Sequence, residues 1–341
     1  MTMEIKVDQN VGRLSRRLEV TGLTVEYETS NGAVPALEDV SLKIERDEIV
    51  GIVGESGSGK STLALAIMRA LPENAKIVRG KITFGDFNVL SVSENELSRK
   101  IRWKEIAIIP QASMNIFDPL FTVKEQIVET IRVHSSGIPK ESVIKQAEQL
   151  MELVGIETKR SNSYPHQLSG GMKQRAAIAL ALALSPALLI ADEPTTALDV
   201  IVQAQVMSLL MKIREKFGMS LILISHDIAL VAQYCERIVI VYSGKIVEEA
   251  STADLFQRPL HPYTSGLLQS VPNLFAKRSV LKSIPISAVG SSRKEKQCNF
   301  ASRCSYAVKR CQIEEPLLLE VSPNHYSACF EWKRLAADKN E

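Results

Sequence analysis

The sequence lacks a marked net charge, a long hydrophobic run and an apolar N-terminal stretch. Its 341 residues carry 41 Lys and Arg against 39 Asp and Glu, a formal charge of +2, which gives no reason to expect a nucleic-acid partner or an anionic membrane surface. The longest apolar run, 176–191, is interrupted by Ser185 and Pro186 and is too short to span a bilayer. The first ten residues lack the apolar core of a signal peptide. We therefore expect a soluble, cytoplasmic protein.

Internal repeats, low-complexity tracts and heptad runs are also missing. Hydrophobic residues make up 45% of the chain and charged residues 23%, so the chain can bury a sizeable core. These proportions exclude a disordered chain, a collagen-like repeat and a small disulfide-stapled scaffold. At this length we expect one large domain with an appendage, or two modest domains.

Cysteine is nearly absent from the first 297 residues, which contain only Cys235. We expect the Cys235 thiol to be buried. Four cysteines then follow within a short stretch: Cys298, Cys304, Cys311 and Cys329. In a reducing compartment such a group indicates a metal site. Four thiolates suit either Zn²⁺ or a [4Fe–4S] cluster. The gaps of five and six residues are wide for zinc ribbons, which favours the cluster over zinc; free thiols are the third interpretation.

Short apolar strands alternate with amphipathic helices over the first 256 residues. The pattern predicts strands at 18–27, 40–44, 48–53, 106–109, 188–191, 221–224 and 238–241, and helices at 62–71, 123–134, 141–154 and 169–184. Strands that alternate with helices predict an α/β domain with a mostly parallel sheet.

A glycine-rich loop separates the third predicted strand from the first predicted helix. Its sequence GESGSGKS at 54–61 fits the pattern G-x-x-x-x-G-K-[ST], whose backbone N–H groups surround phosphate oxygens. Lys60 would reach the β- and γ-phosphates, and the Ser61 hydroxyl would bind Mg²⁺. The predicted ATP contacts in this region are Gly54, Glu55, Ser56, Gly57, Ser58, Gly59, Lys60, Ser61 and Thr62.

Two carboxylates end the apolar strand at 188–191. Asp192 could hold Mg²⁺ through water, and Glu193 could polarise the attacking water. Beside the phosphate loop, this pair indicates a nucleotide triphosphatase of the P-loop type.

The segment Leu168–Arg175, LSGGMKQR, resembles the signature of ATP-binding cassette (ABC) proteins. The other features of that family follow in its order: an aromatic residue on the first strand, a glutamine after the strand at 106–109, an aspartate after the acidic pair, and a histidine after the strand at 221–224. These residues are Tyr27, Gln111, Asp199 and His226.

The resemblance implies a P-loop cassette with a mostly parallel sheet, an antiparallel β region and a helical subdomain. Two such domains pair head to tail around two ATP molecules. The catalytic residues would then be Glu193, Gln111 and His226, with Gln111 also near Mg²⁺ and His226 on the γ-phosphate. Tyr27 would lie under the adenine. The partner's ATP would be contacted by Ser169, Gly170, Gly171 and Asp199.

The segment RPLHPYT at 258–264, the stretch 111–122 and the cysteine tail look like the ATPase subunits of dipeptide, oligopeptide and nickel importers. Members of that group carry an iron–sulfur cluster in the corresponding extension. The resemblance implies a peripheral subunit on the cytoplasmic face of the membrane. Its partners would be two permease subunits, a second ATPase subunit (a paralogue or another copy) and an extracytoplasmic solute-binding protein. The cargo would be oligopeptides, dipeptides or oligosaccharides.

A soluble, non-transport ABC ATPase that acts on nucleic acid or ribosomes is the alternative function. The nearly neutral charge, the single cassette and the missing heptad run count against it. The expected organisation is an N-terminal tail (1–17), an ATPase domain (18–256) with a helical subdomain at about 112–185, an extension and linker (257–297), and a cysteine-rich region (298–335).

Overall fold

The fold is described from a computed structural model, which describes residues 16–135, 137–270 and 297–338. All but two residues of the expected N-terminal tail, and most of the expected linker, lie outside these ranges.

Within the described residues the strands are β1 (Leu18–Thr29), β2 (Gly32–Ile44), β3 (Ile49–Val53), β4 (Ala75–Phe84), β5 (Phe87–Asn88), β6 (Ile106–Ile109), β7 (Leu188–Asp192), β8 (Ser220–Ser225), β9 (Arg237–Tyr242), β10 (Lys245–Ser251), β11 (Leu319–Ser322) and β12 (His325–Ser327). The helices are α1 (Lys60–Ile67), α2 (Glu94–Glu96), α3 (Val123–His134), α4 (Lys140–Leu153), α5 (Gly170–Ala181), α6 (Val200–Phe217), α7 (Ile228–Tyr234), α8 (Thr252–Gln257), α9 (Pro262–Gln269) and α10 (Trp332–Asp338).

The central sheet has eight strands in the order β11-β12-β10-β9-β3-β8-β7-β6. The pairs β9–β3, β3–β8, β8–β7 and β7–β6 are parallel, and the remaining pairs are antiparallel. Every residue of β3, β7 and β8 is buried, as expected for apolar strands covered on both faces. The predicted α/β class is confirmed; the central sheet is mixed, with the parallel pairs at one side and the antiparallel pairs at the other.

A second, antiparallel sheet has the order β2-β1-β4-β5. The apolar residues of β1 and β2 face inward and pack with α1 and with one face of the central sheet; this core includes Leu18, Leu37, Leu63, Ile52 and Val239. The opposite face of the central sheet packs against α3 to α7. Because α1 lies between the two sheets, its first turn and the loop before it have a fixed position.

The helices α3, α4 and α5 form the helical part between β6 and β7. Thr122 and Glu125 form a capping box at the start of α3, in which each side chain accepts from the other residue's backbone N–H. The buried Ile127 and Ile131 are four residues apart on one face of this helix. This local pattern explains why the sequence predicts the bounds of α3 correctly.

The C-terminal hairpin β11–β12 continues the central sheet, because β12 pairs with β10. The buried Glu248 of β10 anchors this arrangement. Its carboxylate accepts hydrogen bonds from the backbone N–H groups of Leu260 (2.6 Å) and His261 (3.0 Å) and lies 2.8 Å from Nε2 of His325. The cysteine-bearing tail is therefore packed on the cassette core, a junction that the sequence does not predict.

We expect Glu248→Gln to lower the free energy of unfolding by about 2 kcal/mol or more, because an amide would turn a donor toward a buried N–H group. Urea unfolding followed by tryptophan fluorescence measures this. Glu314→Gln, at an exposed tail position paired with Arg310, is the matched control and should change stability by less than about 0.5 kcal/mol. Equal unfolding midpoints for the two variants would contradict the anchoring role.

Candidate nucleotide site

The predicted catalytic residues meet at one edge of the central sheet. The phosphate loop follows β3, Gln111 follows β6, Glu193 follows β7 and His226 follows β8. Because these strands are parallel neighbours, their carboxyl ends share an edge, where ligands of open α/β sheets bind.

The phosphate loop closes through a left-handed turn at Gly59, whose φ is +104°. A Cβ at Gly59 would lie 2.6 Å from the carbonyl oxygen of Ala36, so only glycine fits there. The N–H of Ser58 donates to the carbonyl of Glu55 at 3.1 Å. Helix α1 then begins at Lys60, so the loop delivers backbone N–H groups and a helix N-terminus to one point.

The Lys60 side chain is folded into this loop and is 5% exposed. Its ammonium donates to the carbonyl oxygens of Gly54 and Glu55, both at 2.8 Å. Burial lowers the pKa of Lys60, and the nearby carboxylates of Glu193 and Asp192 act in the opposite direction. A buried ammonium whose direct partners are neutral carbonyls is suited to meet a phosphate.

The oxygen atoms expected at a magnesium ion are next to each other. Ser61 makes a side-chain hydrogen bond to Asp192, and burial raises the pKa of that carboxyl group. Asp192 is 4% exposed, and within the described part of the chain its buried Oδ1 has no hydrogen-bond partner. An unpartnered carboxylate oxygen beside a hydroxyl matches the oxygen ligands that Mg²⁺ prefers, so these residues fit the ion.

Three side chains surround the carboxylate of Glu193. Gln111 Nε2 and Thr196 Oγ1 donate to Oε2 at 3.0 and 2.9 Å, and His226 Nδ1 lies 3.1 Å from Oε1. Burial acts to raise the pKa of Glu193, but the hydrogen bonds of Thr196 and His226 outweigh it and the net pKa is lowered. The carboxylate is therefore held ionised in one orientation, on a residue with φ of +48°.

Thr196 is a site residue that the sequence does not predict. It lies one turn after Glu193, and its N–H also donates to the Glu193 carbonyl at 3.2 Å. The adjacent Thr195 has the same side chain but is buried. Thr196 lies three residues after Glu193 and Thr195 only two, and this spacing is the signal in the sequence that distinguishes the two threonines.

The predicted contacts to a partner's ATP lie elsewhere. Ser169 caps the N-terminus of α5, and Asp199 caps α6 by accepting from the N–H groups of Ile201 and Val202. Ser169, Gly170, Gly171 and Asp199 line an open cleft of about 580 Å³ that also contains Arg160 and Arg175. The lining of this cleft, all within described residues, includes none of the phosphate loop. A single chain therefore holds two separate anion-suited surfaces.

Tyr27 lies next to the phosphate loop. Its hydroxyl is 3.4 Å from Oγ1 of Thr62, in the first turn of α1, and the side chain is half-buried. The ring thus forms a surface beside the loop, where the sequence predicted an aromatic contact.

The four C-terminal cysteines converge on one small cavity. Cys298, Cys304, Cys311 and Cys329 line it together with His261 and Tyr306. Burial raises the pKa of the Cys304 thiol to about 11 and that of Cys329 to about 12. The donor atoms suit a soft metal, but the cavity volume, about 10 Å³, is that of about one water molecule. Among the described residues, no group of three or more Cys, His, Asp or Glu side chains is arranged to hold a metal ion, so this geometry does not support the predicted metal site.

None of the helices within the described ranges is both long enough and apolar enough to cross a membrane. Cys235 is buried, as the sequence predicts, and burial raises the pKa of its thiol to about 12.

Comparisons with known proteins agree with this geometry. Residues 37–196 match the ABC transporter family, and residues 247–311 match the oligopeptide/dipeptide transporter C-terminal region. A probable peptide ABC transporter ATP-binding protein of Sinorhizobium fredii is 42% identical over 92% of this chain and 94% of its own length. The dipeptide transport ATP-binding protein DppD of Caldanaerobacter subterraneus is 39% identical over 92% of this chain and 96% of its length.

A solved structure of the ATP-binding cassette MJ0796, a dimer in a post-hydrolysis state bound to ADP and Pi, superposes with a TM-score of 0.62. It is 32% identical and covers 69% of this chain and 98% of its own. The motif order, the fold and nearly full-length relatives thus agree with the predicted resemblance. The chain belongs to the family of ABC transporter ATP-binding proteins that carry the oligopeptide/dipeptide transporter C-terminal region, and it is an ATPase.

Proposed function

We propose that this ATPase powers the import of oligopeptides or dipeptides through two separate permease subunits at the cytoplasmic face of a membrane. The observation that carries the proposal is the match of residues 247–311 to the oligopeptide/dipeptide transporter C-terminal region, together with relatives of nearly the same length named for peptide or dipeptide transport. Oligosaccharides are the alternative cargo.

The site geometry supports a division of labour in hydrolysis. We assign Lys60 and the loop N–H groups to the phosphates, and Ser61 and Asp192 to Mg²⁺, which would stabilise the charge on the transferred phosphoryl group. Glu193 is the group that polarises the attacking water, because it is ionised and fixed in orientation. Gln111 and His226, which contact its two oxygens, would position that water and the γ-phosphate.

The separation of the two anion-suited surfaces supports a head-to-tail pair of ATPase subunits. We propose that the cleft lined by Ser169, Gly170, Gly171 and Asp199 receives the ATP held by the phosphate loop of a second subunit. The dimeric state of the related cassette MJ0796 supports this arrangement. The partner is either a second copy or a paralogue.

The segment that would meet the permeases lies between Gln111 and α3 in the sequence. Leu120 and Phe121, between Gln111 and α3, are 77% and 52% exposed. Exposed apolar side chains of this size are suited to a protein interface. We propose that these two side chains contact the permeases. We further propose that they belong to a helical subdomain at about 112–185, which is part of an ATPase domain at 18–256. The extension and linker (257–297) and the cysteine-rich region (298–335) complete the proposed organisation.

Purification of the tagged subunit from native membranes tests the transport proposal. We expect it to recover two hydrophobic permease subunits and a solute-binding protein whose bound ligand is a peptide. A bound oligosaccharide would replace the cargo and keep the transport function. Recovery of ribosomal proteins or nucleic acid, with no membrane subunit, would overturn the transport function and leave the ATPase chemistry intact.

We expect Glu193→Gln to retain ATP binding and to lower the rate of ATP hydrolysis about 100-fold or more, because the amide cannot accept a proton from water. Nucleotide affinity and phosphate release are measured in parallel. Glu215→Gln, on the exposed face of α6, is the control and should hydrolyse ATP at the wild-type rate. A Glu193→Gln protein with unchanged turnover would remove Glu193 from its assigned role.

We also propose that the four C-terminal cysteines bind a metal group, a [4Fe–4S] cluster in preference to Zn²⁺. The proposal rests on the four cysteines lining one cavity; because their side chains do not form a metal site as they stand, binding would require the thiols to rearrange and to lose their protons. Iron, sulfide and zinc analysis of protein purified without oxygen should find about four iron atoms per chain. Cys298→Ser with Cys304→Ser should abolish the iron, whereas Cys235→Ser should not. Stoichiometric zinc would reverse the preference, and absence of both metals would refute the site.

A further inference from the structure

The phosphate loop is held from the C-terminal region of the chain. Arg303 forms a two-pronged ion pair with Glu55, the second residue of the loop: Nη1 donates to Oε2 and Nη2 to Oε1, both at 2.8 Å. The Arg303 side chain is 9% exposed and that of Glu55 41%. Paired, parallel hydrogen bonds of this kind fix orientation as well as distance.

Arg303 has a fixed position of its own. It ends the short helical turn Ala301–Arg303, between Cys298 and Cys304. Its guanidinium lies 5.7 Å from the ring centre of Tyr242 and 5.8 Å from that of Phe300, and it donates to the Tyr242 hydroxyl at 3.3 Å. Stacking against two buried rings restricts the side chain before it meets Glu55.

The backbone of Glu55 is held as well. Its N–H donates to the hydroxyl of Tyr263 at 2.8 Å. Tyr263 is fully buried in α9, with its ring 4.7 Å from Tyr242 and 5.5 Å from Phe300. The three rings therefore form one aromatic cluster (Tyr242, Tyr263 and Phe300) that supports both contacts to Glu55.

The remaining backbone group of Glu55 determines the shape of the loop. Its carbonyl oxygen accepts from the Ser58 N–H at 3.1 Å and from the Lys60 ammonium at 2.8 Å. Tyr263 of α9 thus holds the N–H of Glu55 and Arg303 of the tail holds its carboxylate, while the Glu55 carbonyl closes the loop. A loop that is already ordered binds its ligand without losing further conformational entropy.

We propose that Arg303 and Tyr263 are positioning residues of the nucleotide site, which hold Glu55 so that the phosphate loop is ordered before ATP binds. The C-terminal region would then contribute to nucleotide binding by the ATPase domain of the same chain. The inference rests on ATP binding by the cassette and not on the cargo or the permeases.

Equilibrium binding of Mg·ADP and Mg·ATP to the full chain tests the proposal. We expect Arg303→Gln and Glu55→Gln each to weaken binding about fivefold, less than the full contribution of a charged hydrogen-bonded pair, because the pair affects the nucleotide only through the order of the loop. The double variant should be no weaker than either single variant, because both changes remove the same interaction. Tyr263→Phe should also weaken nucleotide binding, because it removes the hydroxyl that accepts from the Glu55 N–H.

The matched control is Arg310→Gln. Arg310 also lies in a short helical turn directly before a cysteine, but it pairs with the exposed Glu314. We expect it to leave nucleotide affinity unchanged. Arg303→Lys keeps the positive charge but cannot donate two parallel hydrogen bonds to one carboxylate. We expect its nucleotide affinity to lie between those of the wild type and Arg303→Gln.

Two further readouts separate positioning from simple anchoring of the tail. Hydrogen exchange at residues 54–61 should increase in Glu55→Gln while exchange at 298–338 stays at the wild-type level. The KM for ATP should rise while kcat changes less than about twofold, because the group affects binding and not the chemical step. If Arg303→Gln also loosens the tail, its effect on affinity has two causes. Glu55→Gln then tests the proposal, because Glu55 lies outside the tail. Wild-type affinity and wild-type exchange at 54–61 in Glu55→Gln would overturn the proposal.

Discussion

The arrangement of this protein depends on burial of the parallel strands on both faces. Strands such as β3 and β8 carry no solvent-facing side, so polar and charged groups can occur only where a strand ends. The parallel connections place those ends at one edge, and the phosphate loop, Glu193 and His226 meet there as a result. The second sheet and α1 cover one face of the central sheet, and α3 to α7 cover the other.

Burial and hydrogen bonding shift the pKa values of the charged groups at the site. Lys60 and Asp192 are both buried. Burial lowers the pKa of Lys60 and raises the pKa of Asp192, which favours the neutral form of each. Glu193 differs because hydrogen bonds from its neighbours outweigh burial and keep it ionised. A phosphate beside Lys60 and a divalent ion beside Asp192 would stabilise the charged form of each side chain.

The C-terminal region is joined to this core at two separate places. Glu248 binds the backbone N–H groups of Leu260 and His261, before α9, and the His325 side chain of the tail. Arg303 reaches the phosphate loop. The tail has too few apolar residues for a core of its own, and it packs on the surface formed by β9, β10 and α9. The tail therefore contacts the phosphate loop, although its first cysteine is more than 230 residues from that loop in sequence.

The sequence alone determined the α/β class and the bounds of α3 and β6, and it predicted the residues that the structure brings together around the phosphate loop, except Thr196. These features are encoded locally, by hydrophobic period, capping residues and a contiguous glycine-rich motif. Tertiary structure decided that Thr196 rather than Thr195 contacts Glu193, that α1 starts within the motif at Lys60, and that β12 joins β10. It alone pairs Arg303 with Glu55. The β12–β10 and Arg303–Glu55 contacts join residues far apart in the sequence, so they depend on which surfaces meet once the core has formed.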